Sequence, residues 1–195
     1  SAPRPVLYVE GELPAVDIRE RVLEMTEDLI NPNSPEILFR QDNLFILTLA
    51  DLDLAGFKFG FERFAVTQDE DGGGKGRLLI ENTLREIKER TGKYTVLFLD
   101  KISALCSIDE NKNQECSGLV QWFMRLKTMG VVIVYFHHTN KSTGSASGSN
   151  MALRLVDTHI ILKKLHPDMQ FDLQGKSVQC SVHFDKCRNF GGTQS

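Results

Sequence analysis

Apolar positions in this chain fall into short runs separated by longer amphipathic stretches. Residues 6–9 (Val-Leu-Tyr-Val), bounded by Pro5 and Gly11, form a β-branched and aromatic run that predicts a buried strand. Pro14 then opens a helix with Ile18, Val22, Met25 and Leu29 at helical spacing and Pro32 beyond its end. Residues 44–49 predict a second strand, and residues 68–76, acidic and then glycine-rich, a surface loop. Residues 78–90 carry Leu79, Leu84 and Ile87 along one side and stop at Gly92, as a helix does. Residues 94–99 are a continuous strand-like run closed by Asp100. Residues 111–129 hold Leu119, Trp122, Phe123 and Leu126 at helical spacing before Gly130. The most strand-like run is 131–136. Two late strands, 158–165 and 177–184, flank a turn near 172–176, and the Ser/Gly-rich stretch 142–150 reads as a mobile loop. There is no internal repeat.

Short strands apolar on both faces, alternating with amphipathic helices, predict an α/β fold: a mostly parallel sheet covered by helices, with an antiparallel C-terminal hairpin at one edge. The length, 195 residues, suits a single domain spanning 1–195. In such sheets ligands bind at the carboxyl ends of strands. The residues that end strands are therefore the candidates: Glu10 and Glu12, Asp100, His137 and His138, and Lys186 and Arg188.

Composition narrows the classes without choosing among them. With 41% hydrophobic and 25% charged residues, the chain is neither disordered nor of low complexity. A net charge of −3 sets up no strong basic field for nucleic acid, although a local basic strip remains compatible with it. The longest apolar run, 131–136, falls far short of the roughly 18 residues that cross a bilayer. No C-x-x-C pair occurs among Cys106, Cys116, Cys180 and Cys187, so neither a zinc ribbon nor a thioredoxin-type site is signalled. Reduced thiols in a cytosolic protein, three or four of them in core or near-core positions, are expected.

Each strand-end residue has an ordinary reading and a chemical one. Glu12 is either a solvated acid near a helix N-terminus or a general base that polarises water at a nucleotide site. Asp100 either starts a loop or holds Mg²⁺ directly or through water. Strand alternation lets only one of His137 and His138 face a ligand. That histidine is either structural or a sensor, the sensing role being favoured by the following Thr139-Asn140-Lys141. Extended geometry puts Lys186 and Arg188 on one side, about 7 Å apart, where they either line a solvated edge or suit a polyphosphate.

Taken in order, these residues resemble the RecA-like ATPase core, in particular the AAA family ATPases of the RepA, DnaB and RadA types. Residues 6–14 (Val-Leu-Tyr-Val-Glu-Gly-Glu-Leu-Pro) resemble the strand that ends in the catalytic glutamate, with Glu12 at the matching position. Residues 94–100 resemble the Walker B strand, and residues 131–141 the strand ending in the sensor residue, at His138. Residues 155–162 resemble the following strand, and Lys186-x-Arg188 before Asn-Phe-Gly-Gly-Thr resembles the lysine and arginine fingers that reach a neighbouring subunit's ATP. The likeness spans roughly 6–193.

The resemblance implies ATP and Mg²⁺ as cofactors, Asp100 supporting the metal, Glu12 orienting the attacking water, and His138 reporting the γ-phosphate. It also implies Lys186 and Arg188 acting in trans across a head-to-tail ring or filament. Lys141, Ser142 and Thr143 fall in the loop that implies contact with single-stranded DNA, although no arginine occurs there before Arg154. The chain departs from the pattern at its start. No G-x-x-x-x-G-K-[ST] occurs, and Gly72-Gly73-Gly74-Lys75-Gly76 has the wrong spacing, no leading strand, and glycine where a hydroxyl is required. The chain starts at Ser1. It is expected to be a piece of a longer protein without the family's first strand, phosphate loop and first helix, and to bind and hydrolyse ATP poorly by itself. The alternative to a helicase-like or recombination-type ATPase is a non-catalytic RecA-like module for oligomerisation or regulation. A Rossmann-type oxidoreductase is disfavoured, because no G-x-G-x-x-G joins a strand to a helix.

Overall fold

The computed structural model describes residues 3–27, 43–48, 75–105, 113–137, 156–165 and 180–188. The elements in chain order are β1 (Val6–Glu10), α1 (Ala15–Glu27), β2 (Leu44–Leu47), α2 (Lys75–Thr91), β3 (Val96–Asp100), α3 (Ile102–Leu105), α4 (Asn113–Thr128), β4 (Val132–Tyr135), β5 (Thr158–Lys164) and β6 (Cys180–Cys187). They form two compact units, residues 1–149 and 150–195.

The first unit is a four-stranded sheet in the order β2-β1-β3-β4, every pair parallel, flanked by helices. The second holds β5 and β6 as a separate antiparallel pair. The α/β class and the late hairpin are those expected from the sequence.

Alternation along the strands sends Leu7 and Val9 of β1 and Leu97 and Leu99 of β3 into one core. Ile80, Leu84 and Ile87 of α2 and Leu119, Trp122, Phe123 and Leu126 of α4 close over them. Leu7, Leu97, Ile80 and Leu126 are fully buried, each worth about 1.5–3 kcal/mol over an exposed position. Across the helix pair, Glu81 of α2 is buried. Its Oε1 accepts a hydrogen bond from Trp122 Nε1 (3.1 Å), and its Oε2 meets Arg125 at 2.9 Å and Arg85 at 3.6 Å. The indole satisfies Oε1, while Oε2 has the two guanidinium charges beside it but no well-directed hydrogen bond, so charge pairing offsets its burial. Gly130, at φ 80°, ends the α4 region. The turn needs that positive φ, and a Cβ there would meet the Tyr94 ring at 2.5 Å.

Several boundaries and faces depart from the sequence expectations. In α1 the sheltered positions are Ile18, Val22 and Thr26, spaced by four, while Met25 is 65% exposed. Thr26 satisfies itself by donating to the Val22 carbonyl (2.7 Å), so a polar residue takes the buried place. Lys75 and Gly76, expected in a loop, form the first turn of α2, and Gly76 is buried. β6 runs three residues later at each end than the expected 177–184. Cys180 is exposed and Cys187 half-buried, both free, so Cys180 fills no core site; its edge position in β6 explains why. No helix among the described residues is long and apolar enough to cross a membrane.

Tyr135, at the end of β4, packs against Phe123 with ring centroids 5.5 Å apart, and burial pushes its phenol up to about 12. In the unfolded chain a tyrosine ionises near about 10. The folded state therefore keeps its proton to higher pH. The stability this gives is complete below pH 10 and is lost as pH rises from about 10 to about 12. Tyr135→Phe is expected to flatten the fall in Tm over that range; an equally steep fall in the variant would count against the burial argument.

Candidate functional site at the carboxyl ends of β1 and β3

The site is built by register. Val6 pairs with Val96, and the ladder runs level to Glu10 opposite Asp100, so both strands finish on one rim. Alternation puts Tyr8 and Glu10, and Phe98 and Asp100, on the strand faces opposite Leu7, Val9, Leu97 and Leu99. Tyr8 stacks on Phe98 (6.2 Å) and Phe98 on Phe136 (6.3 Å), an aromatic row leading up to the carboxylates. The Tyr8 hydroxyl donates to Asp100 Oδ2 at close range and lies 3.4 Å from Glu10 Oε2. Burial, and then the adjacent Asp100 carboxylate, raises the phenol well above the ordinary tyrosine range, so Tyr8 remains a donor.

Glu10 shapes the turn that follows. It is 2% exposed, and its Oε1 accepts from the backbone N–H of Glu12 (2.7 Å) and of Leu13 (3.0 Å). Gly11 N–H donates to the Asp100 carbonyl at 2.7 Å, tying the same turn to β3. Glu12 thus projects from a pinned backbone with its side chain 48% exposed, and its Oε1 meets Lys101 Nζ at 2.6 Å. The Asp100–Lys101 peptide bond is cis.

The structure places Glu12 on the turn after β1 and Asp100 at the end of β3, both on this rim. His137 follows β4, half-buried. His138 lies outside the described residues, as do Lys141, Ser142 and Thr143. Lys186 and Arg188 belong to the second unit. Lys186 stands opposite His159 in the ladder. Arg188 sits just past the end of β6, its N–H donating to the Asp157 carbonyl (2.8 Å) and its guanidinium 3.9 Å from Asp157 Oδ1. β6 ends at Cys187, so Lys186 lies within the strand and Arg188 one residue beyond it.

Sequence reasoning gave no role to Tyr8 or Lys101 and stopped short of one for Glu10. The signal for Tyr8 was its position two residues before an acid at a strand end, where alternation returns it to the same face. Lys101 gave none, since a lysine after a strand is commonplace.

The donor set at Asp100 is a part-buried carboxylate with a second carboxylate, Glu10, in register beside it. That fits Mg²⁺, a hard cation usually taken by one or two carboxylates together with substrate phosphates and water. A parallel sheet with an acid-bearing turn after one strand and a carboxylate ending its neighbour is an arrangement compatible with nucleotide-hydrolysing α/β domains. The family model of the AAA domain matches residues 1–144, and the chain belongs to that family. It is accordingly an ATPase-like module, of a type that works on ATP with Mg²⁺. No curated protein matches the chain.

Proposed function

We propose that this domain is the ATPase core of a helicase-like or recombination-type protein of the RepA, DnaB or RadA kind, hydrolysing ATP between neighbouring copies and coupling it to nucleic acid. The observation that carries the reading is the level pairing of Glu10 with Asp100, which sets the Glu12 turn beside the Asp100 carboxylate. Asp100 would hold Mg²⁺, which when bound neutralises charge on the phosphates. Glu12, half-exposed on a fixed turn, accepts a hydrogen bond from the attacking water and takes its proton. Lys186 and Arg188 are assigned to the ATP of an adjoining copy, in a ring or filament, where an arginine finger is worth about 10³–10⁵ in rate. His138 senses the γ-phosphate and passes its loss to the loop holding Lys141, Ser142 and Thr143, which meets single-stranded DNA.

The test is ATP turnover by the full-length protein containing this domain, with and without single-stranded DNA; no turnover in either condition would refute the reading. The trans assignment has its own test. Arg188→Ala is expected to abolish turnover by itself and to regain part of it when mixed with Asp100→Asn, because mixed interfaces pair an intact Asp100 site with an intact finger. Absence of any recovery would remove the finger role.

A second reading, a RecA-like module for oligomerisation or regulation, is favoured by two observations. No phosphate-loop motif occurs in the 195 residues, and the Glu12 carboxylate is already engaged by Lys101. Subunit association that persists without nucleotide hydrolysis would support it.

A further inference from the structure

Two site carboxylates are joined by a side chain that the ATPase reading does not itself use. We infer that Tyr8 is a positioning residue that couples the Asp100 carboxylate to the Glu12 turn through Glu10. The inference rests on the reading of Asp100 and Glu12 given above for its chemistry, and on geometry alone for the coupling.

The phenol oxygen touches both carboxylates but carries one proton. It spends that proton mainly on Asp100 Oδ2, with Glu10 Oε2 the more distant acceptor at 3.4 Å. The other oxygen of Glu10 is committed to the N–H groups of Glu12 and Leu13. A change in what Asp100 accepts therefore alters the share of the phenol proton that Glu10 receives. It alters with it the strength of the two bonds that hold the turn. The ring cannot drift away from this place: it is stacked on Phe98, in register across the ladder. Glu10 is 2% exposed, so water is a poor substitute for a lost partner. Metal-supporting carboxylates commonly owe their orientation to such an outer hydrogen bond.

The conservative variant is Tyr8→Phe, which keeps the ring and its stacking and removes only the hydroxyl. The coupling is read without nucleotide or metal, as a double-mutant comparison of amide resonances. Asp100→Asn is expected to shift the Glu12 and Leu13 amide protons in the otherwise unaltered chain and to leave them in place in the Tyr8→Phe background. Equal shifts in both backgrounds would overturn the inference. Glu10→Gln, which retains an acceptor for both amides, is the second variant, and it too should uncouple the turn from Asp100.

The chemical arm is the Mg²⁺ dependence of ATP hydrolysis in the full-length protein. Tyr8→Phe should raise the Mg²⁺ concentration for half-maximal rate by about 10–100-fold, the range found for outer partners of metal ligands, with kcat at saturating Mg²⁺ retained. An unchanged Mg²⁺ dependence in an active protein would overturn the inference. A wild type that turns over no ATP would instead refute the ATPase reading, and the amide comparison would then judge Tyr8 alone.

Discussion

Glu12→Gln is expected to keep nucleotide binding and to lower ATP hydrolysis by about 10²–10⁴-fold, the contribution of a positioned general base. The substitution removes one negative charge and the ability to take a proton, and little else. The turn itself is held by the Glu10 carboxylate and the Asp100 carbonyl, through backbone groups that the substitution leaves intact. Its ion pair with Lys101 is partly exposed, so the loss to stability should stay within about 0–1 kcal/mol. The measurement is steady-state turnover beside nucleotide affinity. Turnover within tenfold of wild type would remove Glu12 from the chemistry. Loss of both binding and turnover would mean that the residue supports the turn rather than the reaction.

The largest effect on stability is expected from Trp122→Ala. Trp122 is 4% exposed, part of the core between α2, α4 and the sheet, and its ring meets Phe123 at 5.7 Å. Emptying such a position costs about 3–5 kcal/mol. The variant also takes the Nε1 donor away from the buried Glu81 Oε1. For a chain of this size each kcal/mol moves Tm by about 2–4 °C, so a fall of roughly 6–20 °C is expected in thermal unfolding. Glu81→Gln keeps an acceptor for the indole and weakens only the contacts to Arg85 and Arg125. It should cost far less, and a fall as large as that of Trp122→Ala would shift the weight from packing to the ion pairs.

The strands and helices were legible in the sequence wherever burial is one-sided and periodic. Leu79, Leu84 and Ile87 marked α2, and Trp122, Phe123 and Leu126 marked α4, because tertiary packing rewards the same spacing that a helix imposes. Faces were misread where a polar residue satisfies itself locally. Thr26 bonds back to Val22 and takes the sheltered place that spacing assigned to Met25. The start of α2 was hidden by Gly76, whose low helix propensity reads as a loop although the position is buried and helical. At the rim, Asp100 was legible because it closes a strand, and Glu12 because it follows one by two residues. The Tyr8 bridge was not, because it depends on which residue of β3 lies level with β1, and register between parallel strands separated by eighty-odd residues leaves no mark in either one.

Gly11 has little clearance: a methyl group at that Cα would stand 2.9 Å from Leu105 Cδ2 and 3.1 Å from Ala104 Cβ. The backbone leading to Glu12 therefore rests directly on Ala104 and Leu105 of α3, with no slack between them. Residues 104 and 105 have no room to grow toward Gly11, so this short helix is a shim that sets the height of the Glu12 turn above the rim.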